Sequence, residues 1–562
     1  MRALLALLVL SFSTTVAANE PWWRHAVIYE IYPRSFQDSN GDGVGDLNGI
    51  TQRLDYLREL GVDAIWLTPV YPSPQVDFGY DISNYESIDP QYGTLEDFDR
   101  LVAEAKKRDI RVVMDMVLNH TSDQHAWFQA AARSRTDPHH GYYVWSDGKP
   151  GPNGTRLPPN NWVSLFGGSA WQWVPAVRQF YYHDFYKQQP DLNFGDPAVE
   201  KAMFSAIRFW LDRGAAGYRL DAIPTLFEDA EGRDEPVVGG TNAQGDPNLQ
   251  HIYTDNLPAV HDVLRRLRAM VQSYAGDRVL IGETYLPDTA ALDAWYGGAR
   301  QDELHLPMDM QFGFHGEHDR LDATRFRRLL TELTTMIHGS QPLLVFDNHD
   351  NVRSWDRYAD GVHDASIARI VATLLLTTRS TALLYYGQEL GMRTTPPTRK
   401  EDVRDPIGVT GWPREKGRDG ERTPMPWDGS RQAGFSTSNS PWLPVATSAG
   451  TVQAELADPG SLLRWYKQLI ELRRNNGALR DGAITIVDAK NPSVLSYVRT
   501  SAEGRVLVSL NMSDRSQTLA LAKELVASSL KPLVTNDAAL RNATSTRSIT
   551  LAPYATLVAA IR

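Results

Sequence analysis

Gly217-Tyr218-Arg219-Leu220-Asp221 follows an amphipathic run that ends at Arg213 and Gly214, and it sets a cation two positions before a carboxylate. On a strand that spacing puts Arg219 and Asp221 on one face. A guanidinium beside a carboxylate favours the ionised form, and an ionised, desolvated carboxylate is a nucleophile. Alone, Arg-x-Asp reads as a structural ion pair at a strand end; its neighbours change that reading. Short apolar runs recur at 26–32, 63–69, 111–117, 217–223, 278–282, 303–308, 342–346 and 381–385, each followed by loop or helical material. Strands alternating with helical patterns predict a parallel sheet, and this number of them predicts a closed (β/α)8 TIM barrel, an α/β fold. In such barrels the chemistry sits at the C-terminal strand ends. Polar residues fall there: Asp81 after the second run, Asn119 and His120 after the third, Asp221 at the fourth, Glu283 after the fifth, and Asn348, His349 and Asp350 after the seventh. Unrelated structural charges have no reason to recur at equivalent strand ends.

The alternation lapses after His120 into a stretch rich in Pro, Gly, Asn and Trp, too long for an ordinary connection. We therefore expect a small inserted domain over 121–198, between barrel portions at 19–120 and 199–479. From 480 to 562 short apolar runs separated by polar turns predict an antiparallel β domain, a sandwich. Residues 1–18 read as a signal peptide: Met1-Arg2, an apolar run, then Val16-Ala17-Ala18 as a cleavage site. Periplasmic or secreted location is the expectation. The chain has 562 residues, 42% of them apolar and 22% charged, with no cysteine, so no disulfide holds it together. A formal charge of -11 argues against nucleic acid or an anionic membrane and suits an uncharged substrate. The sequence leaves the oligomeric state open.

The loop Asp38-Ser39-Asn40-Gly41-Asp42-Gly43-Val44-Gly45-Asp46 alternates oxygen-bearing side chains with glycines, as the opening of an EF-hand loop does. The twelfth position is Gly49, where an EF-hand carries Glu, so this is not an EF-hand. The oxygen donors of Asp38, Asn40, Asp42, Val44 and Asp46 suit a hard divalent cation, calcium above others. The alternative is a glycine turn held by Asx hydrogen bonds.

Four motifs, Asp115-Met-Val-Leu-Asn119-His120, Gly217-Tyr-Arg219-Leu-Asp221, Gly282-Glu283-Thr284 and Asn348-His349-Asp350, occur in order. With Gly79-Tyr80-Asp81, Gln189-Pro-Asp191-Leu-Asn193 and Arg422-Thr-Pro-Met-Pro-Trp427 they resemble the α-glucosidase and oligo-1,6-glucosidase branch of glycoside hydrolase family 13, the α-amylase superfamily. The resemblance implies Asp221 as nucleophile, Glu283 as general acid and then base, and Asp350 as a third carboxylate that binds sugar hydroxyls and stabilises the transition state. It implies a retaining mechanism, which needs one ionised and one protonated carboxyl; Arg219 would keep Asp221 ionised, and enclosure near other carboxylates would keep Glu283 protonated. His120 and His349 would bond glucose hydroxyls. Tyr80 would give an aromatic platform, while Asp81 and Arg422 would close the pocket at the terminal sugar. That points to an exo-acting glycoside hydrolase, an α-glucosidase on short maltose- or isomaltose-type oligosaccharides.

Linkage preference stays open: family members carry valine after the nucleophile for α-1,6 bonds and threonine for α-1,4, and this chain has Ala222. The segment 228–250 is expected to line the acceptor side. A transglucosylase or trehalose synthase-like isomerase would share the same glycosyl-enzyme. A non-catalytic transporter partner of the same fold is a third reading, which the retained carboxylates disfavour.

Overall fold

The computed structural model describes residues 20–314, 319–336, 340–446, 450–488, 490–519, 529–544 and 548–562; the expected signal segment lies outside them. Parallel strands close into a ring in chain order: β1 (Val27–Ile31), β2 (Ala64–Leu67), β3 (Arg111–Val117), β4 (Gly217–Asp221), β5 (Val279–Gly282), β6 (Leu306–Asp309), β7 (Leu343–Val345) and β8 (Thr381–Tyr385). β1 pairs with both β2 and β8, which leaves no open edge. The sixth run departs most from expectation. Its strand begins only at Leu306, and Glu303 ahead of it is bonded to His261 and Arg265.

Period-two alternation sorts the strand side chains. Ile28, Trp66, Val113, Ile281, Val345 and Leu383 share the cluster inside the barrel, while Tyr29, Ile65, Val112 and Tyr218 pack outward in the cluster that includes the helices. Truncating one such buried aliphatic to Ala costs about 2–5 kcal/mol. The inward face continues upward to Glu30 on β1, Asp115 on β3, and Arg219 and Asp221 on β4. Register sets Asp115 opposite Arg219 and Val117 opposite Asp221. A one-residue slip would turn all of these into the helical layer.

The helix Pro197–Asp212 delivers the chain to β4. Asp196 caps it by accepting from the Ala198 amide, Pro197 suits the first helical position, and Val199, Met203, Ile207, Trp210 and Leu211 bury one face. Gly214, at φ +101°, then turns the chain back. Gly217 opens β4 so close to β5 that a Cβ there would lie 2.0 Å from the Val279 carbonyl oxygen, so only glycine lets the two strands pair.

Between β3 and β4 the chain builds a separate antiparallel sheet from Trp145–Ser146, Gln179–Tyr182 and Trp171–Val174, packed through Trp162, Trp171, Phe180 and Tyr182. After the barrel, a sheet of five antiparallel strands in the order Ala483–Ile486, Val494–Ser501, Gly504–Asn511, Thr556–Ile561 and Leu530–Thr535 forms the C-terminal domain. The paired strands Gln517–Leu519 and Ile549–Leu551 share its apolar core. Among the described residues, no helix is long and apolar enough to cross a membrane.

Candidate active site

Arg219 is buried at the C-terminal mouth of the barrel and bonded to carboxylates from three strands. One terminal nitrogen donates to both oxygens of Asp115 at 3.1 Å and to Asp221 Oδ1 at 2.5 Å. The other lies 2.8 Å from Glu283 Oε2. Asp221 and Glu283 are thus brought together on one guanidinium, at the ends of neighbouring strands. The expectation that Arg219 keeps Asp221 ionised is corrected: the cation is divided among Asp115, Asp221 and Glu283. Burial therefore prevails, raising Asp221 to about 7 against the pull of Arg219, and Glu283 likewise to about 7. With both carboxyls lifted towards neutrality, one can carry a proton while the other is ionised, the state that acid–nucleophile chemistry needs.

Ala222 fixes the second of these groups. Its backbone sits in the left-handed region (φ 41°), rare for a residue with a side chain, and its amide donates to Glu283 Oε2 at 2.9 Å. The sequence reading weighed Ala222 only as a specificity marker.

Asp350 faces the same space from beyond β7. Burial works to raise it, but His349 beside it and the guanidiniums of Arg418, Arg422 and Arg219 outweigh burial and hold it well below the usual carboxylate range. Its Oδ1 accepts from Arg418 and from Arg422, each at 2.9 Å.

The pocket-closing pair is not the expected one. Asp81 is fully buried and turned away, accepting from the Ser73 hydroxyl and the Val76 and Asp77 amides, and so holding the turn that presents Asp77. Arg422 bonds the His349 carbonyl and Asp350, with no bond to Asp81. The bridge is instead Arg418 to Asp77 at 2.8 Å. Arg418 also meets both oxygens of Asp405, the cap of the helix Pro406–Gly411, and lies 5.5 Å over the Phe166 ring of the inserted sheet domain. Sequence reasoning missed Asp77, Asp405 and Arg418. Asp77 stood three residues before the Tyr80 motif, but no local signal marked Arg418.

His120 is buried, with Nδ1 2.8 Å from Asn119 Oδ1 and Nε2 3.1 Å from the Gln189 amide nitrogen, and burial pushes it down to about 3, so it is neutral. Tyr80 stacks against His349 and its hydroxyl reaches Asp115. A cavity of about 330 Å³ opens beside Glu283, with Leu165, Phe185, Ala222, Pro224 and Tyr285 in its lining. Polar groups there include Asp184 and Thr225 and, just beyond the expected 228–250 segment, His251, Thr254 and Asp255.

Residues 30–482 match the family described as alpha amylase, catalytic domain, and 484–558 match the maltogenic amylase C-terminal domain. The chain belongs to the α-amylase family. It is 43% identical to a probable alpha-glucosidase of Rhizobium meliloti, over 92% of this chain and 94% of that protein. An oligo-1,6-glucosidase of Parageobacillus thermoglucosidasius is 37% identical over 92% of this chain and 94% of its own. Among solved structures, an alpha-glucosyl transfer enzyme superposes with a TM-score of 0.85 at 39% identity, covering 96% of this chain and 100% of its own. The trehalulose synthase of Pseudomonas mesoacidophila superposes at 0.87 and 33%, covering 97% and 100%.

In this α-amylase family member the oxygen-rich loop 38–46 is held mainly by its own hydrogen bonds. Asp38 accepts from the amides of Asn40, Gly41 and Gly43 and from the Ser436 hydroxyl. Asp42 accepts from the Val44 amide, and Asp46 caps the helix Leu47–Gln52 while accepting from Ser39. Among the described residues, the one group of three acids or histidines with ligand atoms within 4.8 Å of one another is Glu20, His25 and Asp481, away from this loop. The loop's donor set is nevertheless all oxygen, the chemistry a hard divalent cation takes.

Proposed function

We propose that this α-amylase family member is an exo-acting, retaining α-glucosidase that releases glucose from the non-reducing end of short α-glucosides. The observation that carries this is the sharing of one buried guanidinium, that of Arg219, by Asp221 and Glu283, with Asp350 fixed across the same space. The probable alpha-glucosidase relative supports the substrate class.

In the first step Asp221 attacks the anomeric carbon as Glu283 gives its proton to the departing glycosidic oxygen, so the C–O bond breaks and a covalent glycosyl-enzyme forms. Glu283, now ionised, takes a proton from water, whose oxygen displaces Asp221 and releases glucose with retention. Arg219 keeps the pair's total charge tolerable throughout. Asp350, ionised by its cationic surroundings, accepts sugar hydroxyls and favours the positive charge that develops on the ring. The Asp77–Arg418 bridge ends the pocket and offers both an acceptor and a donor to the terminal sugar, which argues for exo action.

The mostly apolar cavity beside Glu283 favours a second reading, in which a sugar rather than water attacks the intermediate, as in transglucosylases and isomerases. Incubation with maltose, isomaltose, sucrose and trehalose, with all products followed by chromatography over time, tests both. Glucose as the main product is expected, and its ranking across the sugars gives the linkage preference. New disaccharides or longer sugars appearing first would make transfer the primary activity, and no product from any sugar would end both readings.

We further propose that loop 38–46 takes a structural calcium through Asp38, Asn40, Asp42, the Val44 carbonyl and Asp46, and that residues 1–18 direct export. Titration calorimetry with calcium and N-terminal sequencing of the mature protein test these in turn.

A further inference from the structure

Behind His349, on the inward face of β1, lies Glu30, a fully buried acid with no part in the chemistry above. Its Oε1 is 2.6 Å from His349 Nδ1, and its Oε2 has no hydrogen-bond partner. The hydrogens of this contact can be assigned by following the chain outward. Asp115 accepts from Trp66, from Tyr80 and twice from Arg219, so the Tyr80 hydroxyl spends its proton on Asp115. His349 Nε2, 2.9 Å from that hydroxyl oxygen and 3.2 Å from Asp350 Oδ2, therefore faces two acceptors and must carry a hydrogen. In a neutral imidazole Nδ1 is then a bare lone pair, and its short contact with Glu30 requires a proton from the acid.

We propose that Glu30 is a positioning residue, a buried carboxylic acid that donates its proton to His349 Nδ1 and thereby locks the ring in the Nε2–H form that faces Asp350 and the sugar. The competing arrangement is an ionised Glu30 against an imidazolium. It would leave a charged carboxylate with one oxygen unsolvated, which costs far more than a lone carbonyl oxygen of a neutral acid. It would also set a fourth cation beside Arg219, Arg418 and Arg422. Burial is the largest influence on both groups: with Asp350 and Asp115 it favours the protonated acid over the opposing pull of Arg219 and the His349 backbone amide, and with the three guanidiniums it favours the neutral ring over the pull of Asp350. Tyr32, stacked on the His349 ring, and Tyr385 on β8 are further titratable neighbours.

The inference rests on the proposed glycosidase site, so one arm of its test does not use turnover. Nitrogen-15 histidine spectra of the whole mature protein, with the His349 signals assigned by their absence from His349→Asn, should show Nε2 protonated and Nδ1 an unprotonated acceptor. Protons on both nitrogens, or on Nδ1 alone, would overturn it. In the second arm, Glu30→Met fills the space without donating and is expected to lower kcat/KM about tenfold or more, chiefly through kcat. Glu30→Gln, whose amide can donate to Nδ1, is expected to rescue most of that loss. If Glu30→Gln is as impaired as Glu30→Met, a negative charge at this position is what matters and the proposal fails. Should Glu30→Met not fold, the Gln variant against wild type and the spectra still decide. The expected spectrum with no turnover on any glucoside would sink the glycosidase reading alone.

Discussion

Replacing Arg418 with lysine keeps the charge and removes the fork, which separates the geometry of this residue from its sign. Four of its side-chain hydrogen bonds fan out at 2.8 to 3.1 Å, two to Asp405 and one each to Asp77 and Asp350. A lysine ammonium is a point donor that cannot span three carboxylates. Held by Asp405, it would release Asp77 and Asp350. A charge-assisted hydrogen bond contributes about 1.5–3 kcal/mol; the Arg418 side chain is 14% exposed, so the lower end applies. Two lost bonds then sum to about 3 kcal/mol, or about a hundredfold in kcat/KM. Asp350 keeps Arg422, so the loss should fall on both KM, through the open Asp77 end, and kcat. Steady-state kinetics on maltose and isomaltose, with a thermal melt as control, measure it. A variant within about threefold of wild type at an unchanged melting temperature would refute the view that Arg418 rather than Arg422 closes the pocket.

Asp221→Asn is expected to fold, since Arg219 keeps two other carboxylates, and to lose nearly all turnover on every glucoside; wild-type-like rates would remove Asp221 from the chemistry. Because Asp221 and Glu283 both titrate at about 7, kcat/KM should rise and then fall with pH around neutrality. Glu283→Gln should abolish the alkaline limb of whatever activity it keeps, and an unchanged limb would assign it to another group. Stability follows the same groups: their native pKa values lie above their unfolded ones, so their contribution is complete below about pH 4 and is lost as pH rises through about 7. Urea unfolding of wild type against Glu283→Gln should show that slope shrink, and identical slopes would contradict it. If loop 38–46 takes calcium, free calcium at about a hundred times its dissociation constant should add about 2.7 kcal/mol of stability, and Asp38→Ala should remove that gain; an unshifted melt on adding calcium or a chelator would leave the loop as a self-bonded turn.

The barrel was legible because its signals are local. Apolar runs of strand length, the two-residue period that puts Arg219 and Asp221 on one face, and the amphipathic run ahead of Gly214 are all written within a few residues of one another. The strand-end carboxylates Asp221, Glu283 and Asp350 were legible for the same reason. What the sequence by itself could not determine is how charge is divided among groups that meet only in the fold. Arg219 reads as the partner of the carboxylate two positions on, yet strand register gives it Asp115 and Glu283 as well, and burial then lifts Asp221 towards neutrality. Asp81 and Arg422 lie within recognisable motifs, while the bridge forms between Asp77 and Arg418, 341 positions apart, because loops beyond different strands converge at the barrel mouth. Periodicity fixes which face a side chain takes; only tertiary packing fixes which charge it meets there and how much water is left between them.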